Sequence, residues 1–259
     1  ERKASGVAAY KRSLVSFKGG MKTLPDTLAA SLGESLQCGA NVTSIEQGAG
    51  CWTVRWERAG ESCVESARKL VIAVPAYALA SLPLPEALHD ALAPLDSLPY
   101  SPVSTVFTGY RREDVAHALD GFGVLVPRKE CRGVIGTLFL SSLFEGRAPE
   151  GHVALLSFVG GMYSQRHATM PAHAQIALVR EELGRILGVS GAPVVEQAHF
   201  WPKAIPNFPV GFQSALDTLD AVEGRWSNLA IVGNYRGGPA AGDSLVNATQ
   251  RAATLLERD

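Results

Sequence analysis

A glycine-rich stretch near the end of the sequence contains residue types that suit an anion-binding site. The apolar run "LAIVG" at residues 229–233 leads into "NYRGGPAAGDS" and then into an amphipathic pattern, which predicts strand, loop and helix. Gly237, Gly238 and Gly242 allow tight turns and the close approach of a ligand. The start of a helix offers free N–H groups and partial positive charge, which favour a phosphate. Because the spacing is not that of a dinucleotide fingerprint, a glycine-rich connection without a ligand is the alternative.

Two apolar stretches in the middle of the sequence contain the other binding candidates. "GFGVLVP", residues 121–127, and "IGTLFLSSLF", residues 135–144, could line an apolar pocket or simply fill the core of a sheet. Ser141 and Ser142 lack the G-x-S-x-G surroundings of an activated serine, which argues against acyl transfer. We identify no catalytic side chain, no acid–base pair and no metal site in the sequence. This pattern is typical of a cofactor-dependent enzyme, and equally of a binding module.

The overall composition limits the classes of protein to consider. The 259 residues carry a formal net charge of −1 and are 46% hydrophobic, as in a soluble globular chain. No basic run is interleaved with aromatic residues, so nucleic acid is not expected as a partner. Cys38, Cys51, Cys63 and Cys131 show no C-x-x-C spacing, so we expect reduced thiols and a cytoplasmic location. No apolar stretch reaches the roughly 20 residues that a membrane-spanning helix needs.

The periodicity of the apolar residues predicts the elements that position these candidates. A leucine at every fourth position from Leu24 to Leu36 predicts a helix with one apolar stripe. Strands are expected at about residues 40–47, 51–57 and 69–75, the last of them buried on both faces. Four more strand-like runs follow, and then a helix that Thr169 would cap and Gly188 would end. One more strand is expected at residues 192–201, with a long irregular loop from Pro202.

The expected fold class is α/β plus α+β, with two domains. Residues 17–78 and 224–259 would form one domain from both chain ends, and Asp243 or Ser244 would cap its final helix. Residues 79–223 would form an inserted domain, built mainly from an antiparallel sheet.

Several stretches, taken in order, resemble one known family. They are "FKGGMKTLPDTLAASL", "ANVTSI", "VIAVPA", "GFGVLVPRKE", "GVIGTLFLSSLFEGRAPEG", "LLSFVGG", "WPKAIPNFPVGF" and "IVGNYRGGPAAGDSLVNA". The set is similar to the protoporphyrinogen oxidases, within the flavin-containing amine oxidase superfamily. The first stretch and the final loop are shared across the superfamily, whereas "GFGVLVP", "GTLFLSSLF" and "AIPNF" are more specific to the porphyrinogen oxidases.

This resemblance implies FAD, held non-covalently, and oxidation of a porphyrinogen substrate with dioxygen as the electron acceptor. The domain built from both chain ends would be part of a FAD-binding Rossmann-like domain, and the inserted sheet would be the substrate domain. Hydride transfer to the flavin would depend on positioning rather than on a side-chain base. The residues that match flavin contacts are Val42, Gly233, Asn234, Gly238, Ala241, Gly242, Asp243, Ser244 and Leu245. The residues that match the apolar tetrapyrrole pocket are Phe122, Gly123, Leu125 and Phe139.

The sequence lacks the nucleotide-binding unit with which members of the family begin. It contains no G-x-G-x-x-G unit, and no acidic residue placed after such a unit to bind a ribose. We therefore expect a C-terminal portion that is inactive alone and has the N-terminal half as a partner. Peripheral membrane contact is implied for the absent segment, and an exposed docking face would favour a homodimer. The alternatives are a related amine oxidase or desaturase, or a flavin-free tetrapyrrole-binding module.

Overall fold

Helices and strands alternate along residues 14–258, the part of the chain that the computed structural model describes. The helices are α1 (Thr23–Leu32), α2 (Ala76–Leu79), α3 (Glu86–Leu92), α4 (Leu140–Leu143), α5 (Gln165–Ala168), α6 (Ala172–Leu187), α7 (Gln213–Arg225) and α8 (Ala241–Glu257). The strands are β1 (Asn41–Gly48), β2 (Cys51–Arg58), β3 (Glu61–Ala67), β4 (Leu70–Ile72), β5 (Tyr100–Arg111), β6 (Gly123–Leu125), β7 (Val134–Phe139), β8 (His152–Gly160), β9 (Val195–Pro206) and β10 (Leu229–Ile231).

Strands β1, β2 and β3 form an antiparallel sheet in chain order. Alternation in β2 turns Trp52 into the core, where its side chain is fully buried. Ala59 and Gly60 join β2 to β3 with φ values of 50° and 84°, as in a two-residue hairpin turn. The sequence did not predict β3, because six of its seven residues are exposed and polar residues dominate it.

Strands β4 and β10 form a two-stranded parallel sheet, with Leu70 opposite Leu229. The strand predicted at residues 69–75 is therefore shorter than expected. It was also expected to be buried on both faces, but Val71 is exposed.

The outer edge of β10 is closed by two side chains rather than by another strand. The carboxylate of Glu223 accepts the Ile231 N–H at 2.8 Å. The guanidinium of Arg236 donates to the Ile231 carbonyl, also at 2.8 Å. Both backbone groups of Ile231 that point away from β4 are thereby satisfied, so no further strand can pair on that side.

The largest sheet has five strands in the order β6-β7-β8-β5-β9, paired antiparallel. Helix α6 covers one face, and Val179 and Leu183 of the helix pack against Val106 and Leu155 of the sheet. As predicted, α6 ends at Gly188, which adopts a left-handed conformation with φ 63°. The predicted cap at Thr169 is wrong. Its hydroxyl bonds back to a carbonyl of α5, and the helix begins three residues later, at Ala172, after a proline.

The buried side chains form two separate cores. One core lies between the five-stranded sheet and α6, and all its buried members fall within residues 106–187. The other joins both ends of the described chain around β2, β4 and β10, and it also includes side chains of α3 and α7. Most residues of these two helices fall within the range 79–223 that the sequence analysis assigns to the inserted domain. The division into a FAD-binding and a substrate domain stays a prediction.

Helix α1 has an apolar stripe that nothing in residues 14–258 covers. None of its residues is buried, and Leu28 and Leu32 are exposed. Leu36, just beyond the helix, is exposed as well.

Candidate functional site

The loop after β10 leads into a helix whose first turn carries no side-chain cap. Helix α8 begins at Ala241, and its N-cap residue is Ala240, whose side chain has no hydrogen-bonding group. The predicted capping by Asp243 or Ser244 is wrong, because both residues lie inside the helix. Among residues 14–258, no acceptor pairs with the N–H of Gly242 or of Asp243. A side chain built at Gly242 would meet nothing within 4 Å, so an anion can reach these donors.

Two glycines bring the backbone of this loop close to its neighbours. Gly238 has φ +133°, and a Cβ there would lie 2.7 Å from a carboxylate oxygen of Asp243. The Asp243 carboxylate therefore packs against the loop backbone at Gly238. Gly233 lies under the buried ring of Tyr235, which a Cβ would meet at 2.4 Å. Neither position has room for a side chain without displacement of its neighbour.

A buried ion-pair network anchors the loop. Arg236 is 2% exposed and Glu223 is 3% exposed, and a guanidinium nitrogen lies 2.6 Å from a carboxylate oxygen. Arg251 of α8 reaches the same carboxylate at 2.9 Å, and Asp220 accepts from both arginines. Strand β10, the loop, α7 and α8 are thus held by one set of charge-assisted hydrogen bonds.

A second anchor ties the loop to the segment after β4. The Tyr100 hydroxyl donates to Oδ1 of Asn234 at 3.2 Å and accepts the N–H of Ala76 at 3.2 Å. Burial raises the pKa of the Tyr100 phenol, so the group stays neutral and keeps its proton to donate. Burial raises the pKa of Tyr235 even further above its usual range, and its hydroxyl has no partner among the described residues.

The second part of the site is the face of the five-stranded sheet that α6 does not cover, which we call the open face. In β5 and β8, Thr105, Phe107, Leu156 and Phe158 alternate with residues buried under α6. The register aligns Leu138, Leu156 and Phe107 in one row across three strands. It aligns Leu125, Gly136, Phe158 and Thr105 in the next row. The indole N–H of Trp201 reaches the Thr105 hydroxyl at 3.4 Å, which places the Trp201 ring on the same face.

The four residues predicted for the apolar pocket do not share one surface. Leu125 is 84% exposed and lies over Gly136 on the open face. Phe122, the residue before β6, is also exposed. Gly123 lies so close to the backbone of β7 that a Cβ would meet a carbonyl oxygen at 2.3 Å. Phe139 is only 2% exposed and belongs to the core under α6, because adjacent residues of a strand point to opposite faces. The structure therefore does not bring Phe139 together with Phe122 and Leu125.

Sequence reasoning missed most of the open face. Phe107, Leu138, Leu156 and Phe158 were not proposed, although the strands that carry them were expected. The signal lay in the alternation within each strand, since one residue of every neighbouring pair must face away from α6. Which member of each pair faces α6 depends on the register.

The predicted flavin contacts lie in two places. Gly233, Asn234, Gly238, Ala241, Gly242, Asp243, Ser244 and Leu245 are together in the loop and the first turns of α8. Val42 lies in β1, half-buried against the core that joins both chain ends. The contacts of these residues with a flavin stay predictions.

The cysteines and other metal-binding side chains of the described residues do not gather into a site. All four cysteines are free thiols. No group of three or more metal-binding side chains lies together between residues 14 and 258. The helices of this part include none with the length and apolar character to cross a membrane.

Comparison with known proteins identifies the family. Residues 4–256 match the family described as flavin containing amine oxidoreductase. Protoporphyrinogen oxidase 2, chloroplastic/mitochondrial, from Arabidopsis thaliana is 29% identical over 98% of this chain and 52% of its own. The chloroplastic protoporphyrinogen oxidase of Nicotiana tabacum is 32% identical over 93% of this chain and 46% of its own. The chain thus spans about half the length of the curated relatives it matches.

A solved structure shows the same fold. The crystal structure of a putative protoporphyrinogen oxidase from Exiguobacterium sp. 255-15 superposes with a TM-score of 0.76 at 20% identity. The superposition covers 94% of this chain and 52% of that one. The predicted mixture of α/β and antiparallel-sheet structure is confirmed. The uncapped, accessible start of α8 and the small residues around it suit the phosphates of the predicted cofactor, FAD. The chain belongs to the flavin containing amine oxidoreductase family, which confirms FAD as its cofactor.

Proposed function

We propose that this chain is the C-terminal portion of a FAD-dependent oxidase that converts protoporphyrinogen to protoporphyrin, a step of heme biosynthesis, with dioxygen as the electron acceptor. The relatives named protoporphyrinogen oxidase, at about 30% identity over nearly the whole chain, support this substrate. The observation that carries the proposal is the open face, a partly exposed apolar face of a sheet whose other face is packed under α6. The tetrapyrrole macrocycle is broad and largely apolar and becomes planar on oxidation to the porphyrin, so its ring matches such a surface.

The loop and the open face have separate roles in this function. The free N–H groups at the start of α8 would hold the pyrophosphate of FAD, and the Gly233–Asn234 segment would border the flavin. Phe122, Gly123 and Leu125 would form one wall of the tetrapyrrole pocket. FAD, when bound, supplies the two-electron oxidant. The residues of this chain would position the substrate and exclude water, and none of them acts as a general base.

The function also needs a partner, which we propose to be the half that carries the G-x-G-x-x-G unit. Strand β4 bonds to β10 through the N–H of Leu70 and the carbonyl of Ile72. The backbone of Val71 between them points the other way, and no group of residues 14–258 pairs with it. Since the far edge of β10 is closed, a parallel strand of the partner would add beside β4. The exposed stripe of α1 gives that partner an apolar surface to cover.

Without this partner, the chain should bind FAD weakly and show no oxidase activity. Most of the phosphate- and ribose-binding surface would belong to the other half. The uncovered apolar surface would then favour self-association of the isolated chain. A yellow protein with one flavin per isolated chain would contradict this expectation.

The experiment is to co-express the chain with the half that carries the G-x-G-x-x-G unit and to assay the complex. Oxidation of protoporphyrinogen is followed by the appearance of porphyrin fluorescence, with consumption of dioxygen measured in parallel. A flavin-loaded complex that oxidises amines and leaves protoporphyrinogen unchanged would refute the proposed substrate and favour a related amine oxidase. A complex that binds porphyrin but no flavin would favour the flavin-free binding module.

A further inference from the structure

A cavity of about 800 Å³ lies at one end of the open face. Its walls come from residues 126–135, which join β6 to β7, and from residues 160–167 after β8. Val103 lines it, and Val103 pairs with both Gly160 and Trp201, so the cavity continues the surface of the open face. This volume lies within the range of small-molecule sites, about 300–1,000 Å³.

The charged side chains that line the cavity are basic. Three arginines line it, namely Arg128, Arg132 and Arg166, and among the described residues the lining contains no aspartate or glutamate. The whole chain, by contrast, has a formal net charge of −1. A concave surface with one sign of charge and an apolar floor attracts and holds anions more effectively than a flat surface does.

Two of these arginines have no carboxylate partner among the described residues. Arg132 is paired with Glu182 at 2.8 Å. Within residues 14–258, neither Arg128 nor Arg166 makes a salt bridge or donates a side-chain hydrogen bond to the protein. The Arg128 guanidinium lies 4.0 Å above the centre of the Tyr163 ring, which holds it in place while its N–H groups stay free.

The floor and one wall of the cavity suit the rest of such a ligand. Val103, Val134, Ile135, Met162 and Ile205 supply apolar surface. Buried Ser101 and the neighbouring Asn207 satisfy each other by a hydrogen bond, so the wall leaves no polar group in need of a ligand there. An apolar body with negative groups at its edge fits this combination.

We propose that the cavity binds the carboxylate-bearing edge of a flat apolar ligand, with Arg128 and Arg166 as its ionic partners. As applied to a porphyrinogen, this inference rests on the proposed function. The ring would lie on the open face, and its propionate side chains would extend over the rim of the cavity. The two arginines would then determine which edge of the macrocycle enters first and would favour substrates that carry free carboxylates.

The cavity can be tested without a tetrapyrrole. The probes are 1-pyrenebutyrate and the neutral 1-pyrenebutanol, two flat fluorescent molecules that differ in one carboxylate. The wild-type chain should bind the acid about fivefold to tenfold more tightly than the alcohol, as expected for partly exposed charge-assisted hydrogen bonds. The Arg128→Gln, Arg166→Gln double variant should lose this preference and bind the alcohol as before. Arg68→Gln, far from the cavity in sequence and outside its lining, is the control and should behave as the wild type.

The same variants, each in complex with the half that carries the G-x-G-x-x-G unit, are then titrated with protoporphyrin. Weaker binding by the double variant supports the inference for the substrate. Porphyrin binding that the double variant leaves unchanged, or a wild-type chain that shows no preference for pyrenebutyrate, would overturn it. A preference for pyrenebutyrate without any porphyrin binding would keep the carboxylate cavity and refute the proposed substrate, so the two failures are distinguishable.

Discussion

Removal of the Glu223 carboxylate is the most direct test of how the loop after β10 is held. This side chain accepts the Ile231 N–H and pairs with Arg236 and Arg251, at distances of 2.6 to 3.2 Å. Glu223→Ala would leave the Arg236 guanidinium buried, with Asp220 as its remaining carboxylate partner. Because Asp220 is 59% exposed, water screens that pair and it compensates only in part.

The expected loss can be estimated from these contacts. Removing one partner of a buried ion pair costs about 3–5 kcal/mol, and an unpaired backbone N–H contributes to that figure. Domains are stable by only about 5–15 kcal/mol, so Glu223→Ala is expected to fold marginally. Glu223→Gln keeps an acceptor for Ile231 but removes the charge, and it should lose about half as much free energy as Glu223→Ala.

The assay is urea unfolding of the wild type and both variants, followed by circular dichroism. The control is Glu46→Gln, whose partner Arg55 lies 3.6 Å away with both side chains more than half exposed. It should change the free energy of unfolding by less than about 0.5 kcal/mol. If Glu223→Ala lowers the free energy of unfolding no more than the control does, the buried network does not hold the loop and the reasoning is refuted.

Three further predictions use the same unfolding assay. Gly238→Ala forces a Cβ to within 2.7 Å of a neighbouring carboxylate, so it should lower the free energy of unfolding by about 1–3 kcal/mol. Gly242→Ala has open space around it and should lower the free energy of unfolding by less than about 0.5 kcal/mol. Equal losses would contradict the described loop. Burial raises the pKa of Tyr235, so the folded state resists ionisation and stability falls as the pH rises above about 10. Tyr235→Phe should match the wild type at neutral pH and lose less stability in alkali, and an unchanged alkaline slope would refute this. Phe139→Ala should cost about 3–5 kcal/mol and Leu125→Ala less than about 0.5 kcal/mol, since only Phe139 is buried, and the reverse order would show that the faces are misassigned.

The sequence predicted the elements whose apolar periodicity is long and regular. Helix α6 and its end at Gly188 followed from such a pattern, and so did β1 and β2. Strand β9 was predicted to give way to an irregular loop at Pro202, yet it continues to Pro206. Proline is tolerated there because β9 lies at the edge of its sheet, which residue order alone does not reveal.

The site was harder to predict than the fold, because it depends on register and on distant pairs. Leu138 lies on the open face, whereas Phe139, the next residue, is buried under α6, and the sequence around both is apolar throughout. Helix α7 was missed because it follows a proline-rich stretch and has few apolar residues. Without α7, the pairing of Glu223 with Arg236 could not be anticipated, although the two residues are close in the sequence.

The two cores make different demands on the growing polypeptide during synthesis. The core beneath α6 draws its buried members from residues 106–187, so it can close before residues 188–235 have been made. The other core needs Ile45 and Tyr235 together, so it must wait until Tyr235 has emerged from the ribosome. Its early residues, Trp52 among them, therefore remain without their final neighbours while the segment between them is synthesised. That interval is when a chaperone would find apolar surface to hold.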